Sequence, residues 1–185
     1  IRFPDPEGMI RSLREKGIRL SLWMFPYVQK HDPTGAVSKQ YRIMKERGFL
    51  VKGPDGEPRV FSPGEGDTDA WRVAALDFTN PGLVEYMKDR VRRLMGMGVG
   101  VIKTDFSEEL PEDCVFYDGT TGLQSHNKYP LLYARTIYEA SLEAKQELGE
   151  KALLWGRSGY AGCQNYPANW AGDSSASKNN LHCIL

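Results

Sequence analysis

Apolar residues in the first part of the chain change from a helical spacing to the continuous run of a short buried strand. A helix is predicted to begin at Pro6 with Asp5 as its N-cap, and to stop before Gly17, which suits a helix end. The run 18–25 that follows is rich in apolar residues and predicts a strand ended by Pro26. The chain therefore starts with a helix-to-strand step.

The stretch 31–77 has a mixed pattern. Its polar and apolar positions predict a short helix over 37–47, a turn at 53–56 and a short strand over 71–78. A region rich in Pro, Gly and Asp lies between the turn and this strand. A long excursion of this sort often builds the rim of a site.

The second half of the chain returns to a clear alternation of helices and strands. Thr79 or Asn80 caps a helix that starts at Pro81. The later elements predicted are a strand over 99–104, a helix over 127–148 and a strand over 151–158. This alternation is typical of βαβ units with a parallel sheet, as found in a (β/α)8 barrel or an open doubly wound sheet. No Gly-rich phosphate fingerprint follows any of these strands, which removes the main support for a nucleotide-binding open sheet.

Composition narrows the classes of partner. Lys and Arg number 24 and Asp and Glu also number 24, so the formal net charge is zero, and nucleic-acid or anionic-membrane binding is not expected. The apolar runs are too short to span a bilayer, and the first residues do not resemble a secretion signal. The three cysteines show neither disulfide nor zinc spacing. We therefore expect a cytoplasmic protein that acts on a small molecule.

Two carboxylates emerge at predicted strand ends. The run 99–104 leads directly into Asp105, and Asp173 follows a second short apolar step. In a barrel, catalytic residues lie at the carboxyl ends of strands, where Arg157 also falls. A pair of carboxylates on one such face suits glycoside hydrolysis, although a strand-end Asp also commonly caps a helix or anchors a loop.

The sequence motifs around these two carboxylates are more specific than the carboxylate pair alone. It consists of Lys103-Thr104-Asp105-Phe106-x-Glu108, then Phe116-Tyr117-Asp118-Gly119, His126-Asn127, Tyr129, Arg157-Ser158, Gly162, Gln164, Pro167 and Trp170-x-Gly172-Asp173. In this order the motifs resemble the catalytic domain of glycoside hydrolase family 31, and most closely its bacterial α-xylosidases. The resemblance implies an α/β fold, a (β/α)8 TIM barrel present only in part. A complete barrel takes roughly 250 residues, so we expect residues 1–185 to be a partial catalytic barrel domain truncated at both ends.

The resemblance also implies roles for individual residues. Asp105 would be the nucleophile, which must be ionised, and Asp173 the acid/base, which must hold a proton. The residues implied in substrate binding are Lys103, Arg157, Trp23, Trp170 and Phe106. Lys103 also has a reading as an ion-pair partner, and Trp23 as a barrel-packing residue. The mechanism requires no cofactor and no metal ion.

The implied reaction is retaining hydrolysis of non-reducing-end α-xylosides or α-glucosides through a covalent glycosyl-enzyme. The two carboxyl groups would then lie about 5–6 Å apart. The implied partner is an oligosaccharide or small α-glycoside, with a homo-oligomer of the full-length protein left open. Three alternatives remain: an α-glucosidase, α-galactosidase or lyase of the same family, a noncatalytic carbohydrate-binding barrel fragment, and a hydrolase that uses a divalent metal.

Four further residues near the motifs have expected roles outside the catalytic pair. Ser107 stands where the α-xylosidase motif usually has glycine, and this difference leaves the identity of the substrate sugar open. Glu108 is expected to anchor a loop, and Asp77 to hold a strand-to-helix turn. Trp71 has two equal readings, the rim of the site or packing in the core.

Overall fold

A computed structural model describes residues 3–64, 71–170 and 173 of the chain. The strands, in chain order, are β1 (Ser21–Met24), β2 (Tyr27–Gln29), β3 (Val60–Phe61), β4 (Val73–Ala75), β5 (Val101–Thr104) and β6 (Leu154–Gly156). The helices are α1 (Pro6–Glu15), α2 (Lys39–Glu46), α3 (Pro81–Gly96), α4 (Gly122–Ser125) and α5 (Tyr129–Glu147).

Helix α1 begins where the sequence predicts it. The Asp5 carboxylate accepts the backbone N–H of Gly8 at 2.8 Å, and Pro6 occupies the first turn, where its missing N–H has no intrahelical role. Gly17 follows the helix with φ of 77°, a conformation that glycine adopts without strain. The N-cap and the helix end predicted at this point are confirmed.

Strands β1, β5 and β6 form a parallel sheet in the order β1-β5-β6. The last residue of β1, Met24, is level with Thr104 of β5, and Thr104 is level with Gly156 of β6. The next residues along the chain, among them Asp105 and Arg157, therefore leave the sheet at a single edge. A parallel arrangement of strands joined through helices is the one predicted from the alternating pattern.

A further extended segment continues this sheet beside β6. Its backbone is bonded to β6 through Gly156, whose N–H donates to Ala168 at 2.8 Å and whose carbonyl accepts the N–H of Trp170 at 3.0 Å. An isolated parallel bridge joins Gly156 and Asn169. The segment 167–170 thus brings Trp170 to the same edge of the sheet.

The strand predicted over 71–78 belongs to a different sheet. Its ordered part is β4, which pairs antiparallel with both β2 and β3 in the order β2-β4-β3. Only Phe25 and Pro26 separate β1 from β2, a connection too short for a parallel crossover. The excursion therefore builds a small antiparallel sheet of its own, and the simple strand-helix-strand reading was wrong for β4.

Helices α3 and α5 pack against each other beside the parallel sheet. The buried face of α3 consists of Leu83, Met87, Val91 and Met95, which recur at helical spacing. The region before α5 contains α4, a short helix that the sequence analysis did not predict and that begins with a capping box between Thr121 and Gln124. No helix in the described ranges has the length and apolar character needed to cross a membrane.

Candidate active site

Asp105 is the first residue beyond β5, and its side chain is held by four other residues. Its Oδ2 accepts the indole N–H of Trp23 at 2.7 Å, and its Oδ1 accepts the backbone N–H of Phe106 at 3.0 Å. Arg157 donates to Oδ1 at 3.3 Å, and the ammonium of Lys103 lies 3.8 Å from Oδ2. The structure therefore brings all five of these sequence-predicted site residues together.

These partners keep Asp105 ionised despite its burial, since the residue is only 7% exposed. Burial has the largest influence on its pKa and acts to raise it. The hydrogen bonds from Trp23 and Phe106, followed by the charges of Lys103 and Arg157, act in the opposite direction and outweigh it. The pKa of Asp105 therefore lies below its ordinary value, so the group is a carboxylate at neutral pH.

Arg157 connects the ends of β5 and β6. Its backbone N–H donates to the carbonyl of Thr104 at 3.0 Å, which extends the parallel ladder by one bond. Its Nε lies 2.8 Å from the Glu108 carboxylate, and its guanidinium lies 4.4 Å from the ring centroid of Phe106. Glu108 pairs with this arginine, in keeping with its expected part as a loop anchor. The guanidinium is thus fixed on three sides by protein groups.

Lys103 lies among aromatic rings as well as beside Asp105. Its ammonium is 3.6 Å from the ring centroid of Trp170 and 5.4 Å from that of Trp155. The two indoles meet edge to face at 6.3 Å. The Nε1 of Trp170 is buried and has no hydrogen-bond partner within the described part of the chain.

A row of stacked aromatic rings leads away from Asp105. The indole of Trp23 stacks on Phe25 at 5.2 Å, and Phe25 stacks in turn on Trp71 at 6.1 Å. Trp71 also meets Phe106 edge to face at 5.3 Å. Trp71 is half-buried, packs against the core and also lines the groove beside the site, so both interpretations of this residue hold. Trp23 is 56% exposed, so its outer face is open to a ligand.

A groove of about 500 Å³ begins at Trp23 and Trp71 and continues past His31 and Asp32. Aromatic surface with a few polar groups is the usual lining of a small-molecule site. No group of three or more His, Cys, Asp or Glu side chains within residues 3–64 and 71–170 is arranged to hold a metal ion.

Asp173 lies three residues beyond Trp170 and is exposed. Its charge is one of those that raise the pKa of Arg157, after burial, which lowers it, and after the charges of Glu108 and Asp105. Asp173 is therefore close enough to Arg157 to act electrostatically at this edge of the sheet. Its distance from Asp105 stays a prediction, and residues 174–185 lie outside the described part of the chain.

The loop after Asp105 contains features that the sequence analysis missed. Phe106 and Ser107 both have positive φ, 61° and 89°, in the region that disfavours side chains. Ser107 is fully buried, and its hydroxyl meets that of Ser158, which had no assigned role. The available signal was the serine at a position where the resembled motif has glycine.

A second missed feature is a buried tyrosine near the nucleophile candidate. The hydroxyl of Tyr133, on α5, has no hydrogen-bond partner among the residues that the structure describes. Burial raises its pKa, and the charge of Asp105 raises it further. Its position under Asp105 could not be read from a residue in the middle of a helix.

Comparison with known proteins gives a family for this arrangement. The model of the glycosyl hydrolases family 31 TIM-barrel domain matches residues 1–184. An α-xylosidase from Emericella nidulans is 35% identical over 176 residues, covering 92% of this chain and 20% of that protein. The α-xylosidase XylQ of Lactiplantibacillus pentosus is 32% identical over 188 residues, covering all of this chain and 22% of that protein.

Solved structures agree with this assignment. A family 31 sulfoquinovosidase from E. rectale superposes with a TM-score of 0.77 at 31% identity, over 93% of this chain and 24% of that one. A cycloalternan-degrading enzyme from Trueperella pyogenes, in complex with a covalent intermediate, gives 0.80 at 30% identity, over 96% and 24%. The chain thus spans about a fifth to a quarter of these relatives. It belongs to glycosyl hydrolase family 31 and corresponds to part of that family's TIM-barrel domain.

Proposed function

We propose that this chain carries the catalytic centre of a retaining α-glycosidase, with Asp105 as nucleophile and Asp173 as acid/base. The observation that carries the proposal is the state of Asp105. Its carboxylate is held ionised at the carboxyl edge of the parallel sheet by two N–H donors and two cations. A nucleophile needs a fixed and charged oxygen, which these donors and cations provide.

The reaction proceeds in two displacements. An oxygen of Asp105 attacks the anomeric carbon while Asp173 gives its proton to the leaving oxygen, which releases the alcohol and forms a glycosyl ester. Asp173, now a carboxylate, takes a proton from water, and that water attacks the same carbon and frees Asp105. The covalent intermediate captured on the Trueperella pyogenes enzyme supports this course.

The remaining site residues have distinct roles in this proposal. Trp23 and the backbone N–H of Phe106 orient the nucleophile, and the exposed face of Trp23 packs against the sugar ring. Trp170 contributes to substrate binding through its indole, whose ring packs against the Lys103 ammonium. Lys103 and Arg157 bind hydroxyls from the positions that they occupy beside Asp105. Their charges also favour departure of the carboxylate when the ester is hydrolysed.

We propose a neutral sugar, an α-xylosyl or α-glucosyl unit, as the substrate. The α-xylosidase relatives at 35% and 32% identity support it. A sulfoquinovosidase from Escherichia coli is 29% identical, so an anionic sugar is the natural competitor. A sulfonate needs free cations, whereas Arg157 is paired with Asp105 and Glu108, and Lys103 is 3.8 Å from Asp105. These pairings favour the neutral sugar.

A turnover assay tests the proposal on the protein that contains this chain. Aryl α-xyloside, α-glucoside, α-galactoside and sulfoquinovoside are compared, with the anomer of the first product followed by NMR. We expect fastest hydrolysis of the α-xyloside, α-configured product and indifference to chelators. Inverted product would overturn the retaining mechanism, and loss of activity with chelator would favour the metal-dependent alternative. Binding of the glycosides without hydrolysis would favour the noncatalytic alternative.

We also propose a cytoplasmic location. Cys114 and Cys163 are both buried and free, which suits a reducing compartment. Cell fractionation with an antibody to the protein checks this proposal, and recovery from the culture medium would contradict it.

A further inference from the structure

The hydroxyls of Ser107 and Ser158 form a directed chain of hydrogen bonds. Ser158 donates to the backbone carbonyl of Phe106 at 2.7 Å. A serine hydroxyl has a single proton, so Ser158 has none left for Ser107 and accepts instead. Ser107 is therefore the donor in the contact between the two hydroxyls. The chain runs from Ser107 to Ser158 and on to the carbonyl of Phe106.

The conformation of Ser107 shows that its side chain has a purpose. With φ of 89°, the residue lies in a region where a side chain costs about 1 kcal/mol and glycine does not. Its side chain is also fully buried, so it has no surface to offer a ligand. Serine at this position therefore has the unfavourable φ of a left-handed residue and makes no contact with a ligand. The hydrogen bond that its hydroxyl donates to Ser158 explains why a side chain is present here.

The chain of hydroxyls connects the two loops that hold the carboxylate. Ser107 follows β5 and Ser158 follows β6, while the acceptor at its end belongs to Phe106. The N–H of Phe106 donates to Asp105, and its ring lies under the guanidinium of Arg157. Ser158 is the next residue after Arg157. Displacing Ser158 would therefore move both groups that contact Oδ1 of Asp105.

We propose that Ser107 and Ser158 are positioning residues of the glycosidase, whose hydroxyl chain fixes Arg157 and the Phe106 amide against Asp105. This inference rests on the proposed function and deepens it. It also gives Ser107, which the sequence connected only with the open identity of the sugar, a role in supporting the nucleophile.

The two serines have different positions in the hydroxyl chain, so their alanine variants should differ in effect. Ser158→Ala leaves two groups unsatisfied, the Ser107 hydroxyl and the Phe106 carbonyl, whereas Ser107→Ala removes only one donor. We expect Ser158→Ala to lower kcat/KM about 10- to 100-fold and Ser107→Ala to lower it less. KM should change less than kcat, because the groups displaced face the nucleophile.

The acid limb of the pH profile of kcat/KM separates positioning from general damage. The groups that face Asp105 are Trp23 on β1, Lys103 on β5, Arg157 after β6 and Tyr133 on α5, while the charge of Asp173 acts on Arg157. Withdrawing Arg157 and the Phe106 amide removes two influences that lower its pKa, so the limb should move to higher pH. Ser107→Gly, which removes the hydroxyl and the backbone strain together, should shift it in the same direction.

Ser141→Ala is the matched control. Ser141 is a buried serine on α5 whose hydroxyl donates to the Ile137 carbonyl at 2.8 Å, away from the site. Ser141→Ala also removes one buried hydroxyl donor, and it should leave the acid limb in place. An unmoved limb in Ser158→Ala, or equal shifts in Ser158→Ala and Ser141→Ala, would overturn the proposal.

Two readouts need no turnover and so separate this proposal from the proposed function. Ser158→Ala should lower Tm by about 3–5 °C, and adding Ser107→Ala should lower it little further, because the hydroxyls act as one unit. The pKa of Asp105 can be followed through the fluorescence of its partner Trp23, with Trp23→Phe as the blank. A wild-type protein that lacks turnover would refute the proposed function alone. Additive losses in Tm, or a pKa of Asp105 unchanged in Ser158→Ala, would refute the positioning role.

Discussion

Two buried aspartates, one beyond each sheet, show how differently similar positions can be used. Asp77 follows β4 of the antiparallel sheet and is 3% exposed, and Asp105 follows β5 of the parallel sheet and is 7% exposed. Asp77 accepts hydrogen bonds from the Thr79 N–H and hydroxyl, at 3.0 and 2.6 Å, and from the Tyr117 N–H at 2.6 Å. None of these donors carries a charge.

The pKa values of the two aspartates move in opposite directions. For both, burial is the largest influence and raises the pKa. At Asp77 the neutral donors do not overcome burial, so its pKa is raised. At Asp105 the N–H donors act together with two cations, and its pKa is lowered. Burial alone therefore does not set the protonation state of these two aspartates, and the charge of their partners decides it.

Asp77 confirms the structural reading that the sequence gave it. Two of its three hydrogen bonds come from Thr79, at the turn into α3, and the third holds Tyr117 of a distant loop. Its partners fix the backbone, whereas three of the four partners of Asp105 contact it through their side chains. Three substitutions test this contrast, in order of decreasing effect.

Asp105→Ala should give the largest effect, a loss of turnover of about 10⁴-fold or more, because it removes the atom that bonds to the sugar. Azide should restore part of the activity by occupying the space of the lost carboxylate. Hydrolysis of the aryl glycoside is the measurement, and Asp77→Asn, expected within about threefold of wild type, is the control. Full activity in Asp105→Ala would refute its assignment.

Glu150→Gln should lower the free energy of unfolding by about 2–4 kcal/mol without changing turnover, since it leaves the buried Lys145 without its anionic partner at 2.7 Å. Glu150 also pairs with Arg14 and Arg19, at the opposite edge of the parallel sheet from Asp105. The substitution therefore tests whether a lowered pKa is sufficient for catalysis. Urea unfolding and the turnover assay measure the two quantities.

The stability difference between wild type and Glu150→Gln should depend on pH, and the direction follows from the pKa of Glu150. Hydrogen bonds from Arg14 and Lys145 lower the pKa of Glu150 from 4.5 to about 2. Its stabilisation is thus complete above pH 4.5 and is lost as the pH falls towards 2. The stability gap between wild type and Glu150→Gln should narrow over this range. A gap that is constant with pH would contradict the pairing.

Asp77→Asn should give the smallest effect, about 1–2 kcal/mol of stability, because the amide keeps one of the two acceptor oxygens. Here the pH dependence has the opposite sign. The raised pKa means that the folded protein takes up a proton before the unfolded one, so wild type gains stability relative to Asp77→Asn as the pH falls towards the ordinary value of 3.8. Thermal unfolding between pH 7 and pH 4 measures it. A relative loss for wild type would contradict the account.

The parallel strands and their outgoing residues were predictable because the signals are local. An apolar run that leads directly into Asp105 identifies both the strand and its end, and a helix with an Asn-Pro start precedes it. The antiparallel sheet was not predictable, since β2 and β3 have three and two residues and show no period. Their pairing with β4 depends on contacts that are distant in sequence.

The candidate site likewise has a part that was predictable from the sequence and a part that was not. Residue types and order identify Asp105, Lys103 and Arg157, but not which groups touch. The contact between Ser107 and Ser158 joins residues 51 positions apart and follows from the level ends of β5 and β6. No pattern within either segment records it.

Tyr129 connects the two sheets, so that they should unfold together. Its hydroxyl is buried at 2.9 Å from the carbonyl of Leu76, just after β4, and at 3.1 Å from that of Pro26, between β1 and β2. One phenol thus joins the chain at the end of each sheet. In hydrogen exchange, the amides of β4 and β5 should open in a single cooperative event, so that Trp71 and Asp105 keep their spacing until the whole unit unfolds.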